Sequence, residues 1–342
     1  MDAPPRVEAR FYEKTGWDNV TCHLCPHSCS IAASRSGTCG VRSNRGGQLF
    51  VDNWGKVASV DYVYAEDLPL FHYKPGINWV RLSGRGCTMR CPFCCTWRFS
   101  QAGGVRTVKF LPADAIPHAE KSGSRGISFG VNDPAPLHEF VYDVFQAALE
   151  AGLETHVATG GMWNEEPLRE IARVTRAFTF SLKGLDETFH QIQLGANLAS
   201  ILGGIRMLLA QGSHVEIAWL LIPGHTDSAE QAERLLSLMA GLDHQVPLII
   251  LPYQPEFTWR DHSEAATLGH LRAFRELLGG ALPFVYIHHP ESVEMNTRCT
   301  HCSRTLVRRG LARQVITSTP DDGSGATRCP SCATAVPFVP EA

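Results

Sequence analysis

Long apolar runs are scarce in this chain of 342 residues. The longest are pieces such as Ile217–Ile222 and Leu248–Leu251, far short of the roughly 20 residues that cross a bilayer as a helix. Met1–Lys14 is charged, contains proline and has no apolar centre, so it lacks the layout of a secretory signal. Charge imbalance is small too: 31 Lys and Arg against 34 Asp and Glu leave a formal net charge of -3. That gives no general pull toward nucleic acid or an acidic membrane, and any polyanion site would have to be local. No GxGxxG opens a helix after an apolar run, which removes the dinucleotide-binding fingerprint. The remaining balance, 44% hydrophobic and 19% charged, is that of an ordinary soluble globular protein. We expect it in the cytoplasm, with neither membrane nor nucleic acid as partner.

Cysteine, by contrast, is plentiful. The twelve cysteines fall into three groups: Cys22, Cys25, Cys29 and Cys39; Cys87, Cys91, Cys94 and Cys95; and Cys299, Cys302, Cys329 and Cys332. In a reducing compartment metal explains such grouping better than disulfides do. The middle group contains Cys87-Thr-Met-Arg-Cys91-Pro-Phe-Cys94, directly after an apolar run. Thiolates are the ligands of iron–sulfur clusters, and three in one loop can hold three corners of a [4Fe–4S] cube. The fourth iron is then open to a small chelating molecule. Structural zinc is the competing reading, but zinc favours a closed shell of four ligands set as separated pairs.

Between the outer cysteine groups, short β-branched or apolar runs alternate with longer helical patterns, which implies parallel strands joined by right-handed crossovers. Strands are expected at Ile77–Ser83, Gly126–Gly130, Glu154–Thr159, Ala177–Lys183, Val215–Ile222 and Pro247–Pro252, with a short Phe284–His288 closing or extending one edge. Helices are expected at Ala135–Ala151, Leu198–Gln211, Ala229–Ala240 and Glu264–Leu278, among others. Six such units make an α/β fold, a partial (β/α)6 TIM barrel whose chemistry belongs at the C-terminal strand ends; a doubly wound open sheet is the alternative. Three segments follow: a cysteine-rich metal-binding module over 1–74, the barrel over 75–292 and a zinc-ribbon-like module over 293–342. Polar strand ends, namely Asn132-Asp133-Pro134, Thr159-Gly160-Gly161, Ser181-Leu182-Lys183-Gly184, Pro223-Gly224-His225 and His288-His289, stand either where a substrate would lie or in plain caps and turns.

Cys25-Pro26-His27, Gly37-Thr38-Cys39-Gly40-Val41-Arg42, Leu70-Phe71-His72-Tyr73-Lys74-Pro75-Gly76, the cluster loop ending in Phe99-Ser100-Gln101, Leu182-Lys183-Gly184 and Ile222-Pro223-Gly224 occur in this order. From Cys22 to Pro337 the chain resembles radical SAM enzymes of the AmmeMemoRadiSam type, relatives of pyruvate formate-lyase activating enzyme. The resemblance implies a [4Fe–4S] cluster on Cys87, Cys91 and Cys94, with S-adenosylmethionine (SAM) on the open iron. Phe93 would pack on the adenine. Asn132 and Asp133 hold the place of the motif that meets the SAM amino group, and Lys183 matches a family lysine. A flavodoxin- or ferredoxin-like one-electron reductant is implied, and reductive SAM cleavage would yield a 5′-deoxyadenosyl radical. Ser181, Asp133, Cys95-Thr96 and His288-His289 depart from the family's Asp, Glu, Gln-Asn and Gly-Asn. Shortened or missing carboxylates change the reach and charge of the pocket, so a specialised small or medium-sized metabolite is the expected substrate. Activation of a glycyl-radical protein is the second reading, and a non-catalytic iron–sulfur or zinc protein that binds a partner is the third.

The C-terminal CxxC pair, Cys299 to Cys332, is expected to hold zinc, with Arg304, Arg308, Arg309 and Arg313 either solvated or forming a docking platform. The N-terminal quartet could hold zinc or a second, closed [4Fe–4S] cluster, with His23 and His27 as rival ligands. Cys95 is either a small buried thiol or a hydrogen-atom donor to the substrate. His288 and His289 are either a satisfied strand-end pair or catalytic groups for proton transfer.

Overall fold

A computed structural model describes residues 6–101, 104–260, 264–292, 295–309, 315–317, 327–337 and 339. The apolar runs form one eight-stranded sheet: β1 (Ser59–Tyr64), β2 (Asn78–Ser83), β3 (Gly126–Phe129), β4 (Glu154–Thr159), β5 (Ala177–Leu182), β6 (His214–Leu221), β7 (Leu248–Pro252) and β8 (Val285–Ile287). Strands follow one another across the sheet in chain order. From β2 to β8 all neighbours are parallel, whereas β1 joins β2 antiparallel. β8 therefore extends the sheet at one edge. β1 was not expected, and it moves the end of the segment assigned to the N-terminal module into the barrel sheet.

A helix fills each crossover: α1 (Ala115–Ser122), α2 (His138–Glu150), α3 (Glu165–Ala172), α4 (Leu198–Ala210), α5 (Ala229–Leu242) and α6 (Leu268–Leu277). α1 and α3 each carry a proline in the first turn, Pro117 and Pro167, where the missing N–H removes no helical hydrogen bond. Asn197, Ser228 and Thr267 cap α4, α5 and α6 by accepting amide N–H groups three residues on, as short polar side chains do at helix starts. No single helix among the described residues is long and apolar enough to cross a membrane.

Two small antiparallel sheets build the N-terminal module, one from Val7–Glu8, Arg42–Arg45 and Gln48–Val51, the other from Tyr12–Gly16, Asn19–Cys22 and Ser30–Ile31. A buried bidentate pair fixes this module to the start of α2: Arg42 Nη1 and Nη2 donate to Glu139 Oε2 and Oε1 at 2.8 and 3.0 Å, and the Arg10 amide also donates to Oε1 at 2.6 Å. The C-terminal module, with strands Thr297–Arg298, Thr305–Arg309 and Val315–Thr317, docks at the opposite end. There Arg309 is buried: its Nε donates to Glu66 at 3.0 Å, its Nη2 to the Phe71 carbonyl at 2.5 Å, and its guanidinium lies 4.6 Å from the Phe71 ring centroid. Arg309 is thus neither solvated nor available to a docking partner; Arg304 and Arg308 are exposed, and Arg313 lies outside the described residues.

Glu66 and Phe71 belong to the segment between β1 and β2, which crosses the N-terminal ends of the parallel strands. Its amides at Phe71, His72 and Tyr73 donate to the carboxylate of Glu216, a fully buried residue near the start of β6, at 2.8, 2.8 and 3.2 Å. Burial acts to raise the Glu216 pKa, but His214 at 2.9 Å, His72 and the Phe71 amide outweigh it and hold the carboxyl below its ordinary value. This strap closes the floor of the barrel.

Candidate active site

At the other end of the strands lies a cavity of about 330 Å³, within the size range of small-molecule sites. Cys87, Cys91, Phe93, Cys94 and Cys95 line it from the loop after β2, Asn132 and Asp133 from the end of β3, and Ser181 and Lys183 from the end of β5. Nine residues anticipated from separate parts of the sequence are thereby brought together.

The loop is built to hold sulfur. The Met89 amide donates to Cys87 Sγ at 3.3 Å, and the hydroxyls of Thr96 and Ser100 lie 3.3 and 3.2 Å from Cys94 Sγ. Such contacts steady a metal-bound thiolate and set its potential. Burial raises the Cys87 thiol well above its ordinary value and pushes Cys91 up to about 11, so metal binding here must expel protons. A three-cysteine loop with these sulfur contacts on the wall of one cavity fits a [4Fe–4S] cluster with an open iron.

Asp133 is fully buried, which raises its pKa; against this, Thr88 Oγ1 donates to Oδ2 and Thr159 Oγ1 to Oδ1 at 2.7 Å, and Lys183 adds opposite charge. Thr159 belongs to one of the polar strand ends singled out in the sequence, whereas Thr88 was not anticipated; its signal was positional, since it follows the first cluster cysteine. Asn132 is bonded to the cluster loop: its Oδ1 accepts from the Gly84 amide at 3.0 Å and its Nδ2 donates to the Gly86 carbonyl at 2.8 Å. Lys183 Nζ donates to the Ser181 carbonyl at 3.0 Å. Phe93 is buried among aromatics, its ring 5.6 Å from Tyr253 and 5.2 Å from Trp259. Tyr253 and Gln254, just past β7, also line the cavity and were missed. Val131, another lining residue, has φ +72°. A β-branched side chain is strained there, and Thr96 Oγ1 holds the conformation by donating to its carbonyl at 2.9 Å.

Two expectations need correction. Cys95 is exposed at the cavity, not buried. His288 and His289 do not line it; His288 packs edge-on against Phe71 with ring centroids 6.2 Å apart, and burial lowers its pKa.

Residues 82–236, from the end of β2 into α5, match the radical SAM superfamily. The protein is a radical SAM enzyme. It is similar to an uncharacterized protein of Methanocaldococcus jannaschii, 29% identical over 316 residues that cover 88% of this chain and 91% of the other. It is also related to the pyruvate formate-lyase 1-activating enzyme of Escherichia coli, 26% identical over 186 residues covering 52% of this chain and 75% of that enzyme. A radical SAM methyltransferase from Sphaerobacter thermophilus shares the fold, with a TM-score of 0.50 at 16% identity over 86% of this chain and 80% of that one. In this radical SAM enzyme the C-terminal quartet forms a compact group: Cys299 and Cys332 Sγ are 3.5 Å apart, Cys302 and Cys329 Sγ 3.6 Å, and all four sulfurs lie within 4.8 Å of one another. A single metal ion fits among them.

Proposed function

We propose that this enzyme, of the AmmeMemoRadiSam type, uses a 5′-deoxyadenosyl radical to take a hydrogen atom from a small or medium-sized metabolite in the cytoplasm. The observation that carries this reading is the cavity itself, which joins the cysteine loop to Asp133, Ser181, Lys183 and Cys95 in a space of metabolite size. Cys87, Cys91 and Cys94 would hold the cluster, which supplies the electron that cleaves SAM after reduction by a flavodoxin- or ferredoxin-like donor. Asp133, oriented by Thr88 and Thr159, would receive the SAM amino group, and Phe93 would back the adenine. Lys183 and Ser181 would meet the polar part of SAM or substrate. Cys95, exposed to the cavity, would return a hydrogen atom to the substrate radical, leaving a thiyl radical that one electron from the same external donor and a proton from solvent would restore to the thiol. The C-terminal quartet would hold zinc, whose tetrahedral Zn–S bonds of about 2.3 Å require sulfurs about 3.8 Å apart.

The second reading is activation of a glycyl-radical protein, favoured by the relationship to activating enzymes over half the chain. One experiment separates the two. Anaerobically reconstituted protein is incubated with SAM, a strong reductant and deuterium-labelled candidate metabolites, and label is followed into 5′-deoxyadenosine. Cys87→Ala, Cys91→Ala or Cys94→Ala is expected to abolish 5′-deoxyadenosine, and turnover in any of them overturns the radical assignment. Absence of label transfer together with a glycyl-radical EPR signal on a partner protein overturns the metabolite reading.

A further inference from the structure

The N-terminal quartet differs from the C-terminal one in the spacing of its sulfurs. Cys22, at the end of its strand, and Cys25, Cys29 and Cys39, on the loops beyond, all line one small cavity with the apolar side chains of Leu24 and Ile31. Among the described residues, the C-terminal quartet is the one His, Cys, Asp or Glu group whose donor atoms all lie within 4.8 Å of one another. The N-terminal sulfurs face a common space but stand wider. A lone tetrahedral zinc draws its sulfurs to about 3.8 Å. In a cube each thiolate binds a different iron, so the sulfurs sit farther apart and surround a volume.

The nearby histidines have partners outside the quartet. His27 Nε2 is 2.6 Å from the Thr88 carbonyl, and His23 Nε2 is 3.3 Å from Glu13. The first of these contacts also locates the quartet, since Thr88 belongs to the SAM-cluster loop and lines the quartet's cavity. The two backbones also approach closely at Gly86, which has φ +87°: a Cβ added there would stand 2.5 Å from the Cys39 carbonyl oxygen. Glycine there lets the backbone before Cys87 lie against the backbone of Cys39.

We propose that Cys22, Cys25, Cys29 and Cys39 hold a second [4Fe–4S] cluster, with a cysteine on every iron and no open position for SAM. Its place beside the loop suits electron transfer. One electron arrives from an external low-potential one-electron donor and passes on to the loop-bound cluster, which returns the quartet to its starting oxidation state. The inference concerns a site separate from the SAM cavity and is tested by metal content, so it can fail while SAM cleavage stands, and the reverse.

The test is iron, sulfide and zinc analysis with Mössbauer spectroscopy on the anaerobically reconstituted full chain and on the Cys87→Ala/Cys91→Ala/Cys94→Ala variant, which leaves the quartet intact. Two cubes correspond to about eight irons per chain in the wild type and about four in the triple variant, the latter as [4Fe–4S] and without SAM-induced spectral change. About four irons with two zincs in the wild type, or a triple variant holding zinc or no metal at the quartet, overturns the proposal. Should the triple variant fail to fold, the wild-type count decides alone.

Discussion

The two cysteine modules are attached by the same device at opposite ends of the barrel, and the details of the device differ. Each uses a buried arginine against a glutamate of the barrel or its strap: Arg42 on Glu139 beside the mouth, Arg309 on Glu66 at the floor. Glu139 has both oxygens bonded. Glu66 has one oxygen on Arg309, and among the described residues its Oε2 has no hydrogen-bond partner. Burial acts to raise both carboxyls, yet Arg42 brings Glu139 below its ordinary value while Glu66 stays above it. The shortfall lies on opposite partners: among the described residues Arg42 Nε has no hydrogen-bond partner, whereas Arg309 donates from Nε, Nη1 and Nη2, so each pair is complete on one side only.

Removing metal should separate the modules most sharply. Replacing Cys299 and Cys302 with Ser is expected to abolish metal binding by the C-terminal quartet and, if that metal is the proposed zinc, to remove the roughly 10–16 kcal/mol such a site contributes to local folding. SAM cleavage should persist, since this module lies away from the cavity. Metal analysis with 5′-deoxyadenosine assay checks both, and loss of cleavage in well-folded protein would break the division between floor and mouth. Next in size, Arg42→Ala and Arg309→Ala each strand a buried carboxylate and should cost about 3–5 kcal/mol in denaturant unfolding. Only Arg42→Ala should also depress SAM cleavage in the folded fraction, because its module touches the cluster loop.

A gentler pair of substitutions tests completeness directly. Glu139→Gln should cost about 1.5–3 kcal/mol at neutral pH, the range for hydrogen bonds to a charged group, and Glu66→Gln less. Their pH dependence should run in opposite senses. The depressed Glu139 pKa gives stability that is full above the ordinary value of 4.5 and is lost as pH falls through the folded value. The raised Glu66 pKa gives the reverse, stability present below 4.5 and lost as pH rises through the folded value. Unfolding of the two Gln variants measured against wild type across that range would show parallel curves if the comparison is wrong. Smallest of all, Thr159→Val should remove about 1 kcal/mol of hydrogen bonding from Asp133, raise its pKa further and weaken SAM binding several-fold by calorimetry.

Much of this was legible in the chain because parallel strands buried on both faces read as continuous apolar runs. Ile217 to Ile222 and Leu248 to Leu251 are such runs, and the strands expected around them, Val215–Ile222 and Pro247–Pro252, agree with β6 and β7 to within one residue. β1 was hidden by its mixed sequence, Ser-Val-Asp-Tyr-Val-Tyr, which suits an edge strand and sits in a segment dominated by cysteine. The cavity residues were legible because strand ends and the cysteine loop are local signals. Thr88 was not, nor was the bond from Thr159 to Asp133, since both depend on Asp133 arriving from another strand. His288 misled for the same reason in reverse: period two does turn it inward with Tyr286, but only the folded chain shows it packed against Phe71.

The strap on Glu216 has a consequence for access to the cavity. A barrel open at both ends could admit substrate at one side and let product go at the other. With its floor stopped by Phe71, His72 and Tyr73, this one is a blind alley. Whatever reaches Cys87 and Asp133 cannot come straight up the strands from beneath, because the strap lies across their N-terminal ends. Three peptide amides held by one carboxylate thereby bar one direction of approach, some distance from any reacting atom.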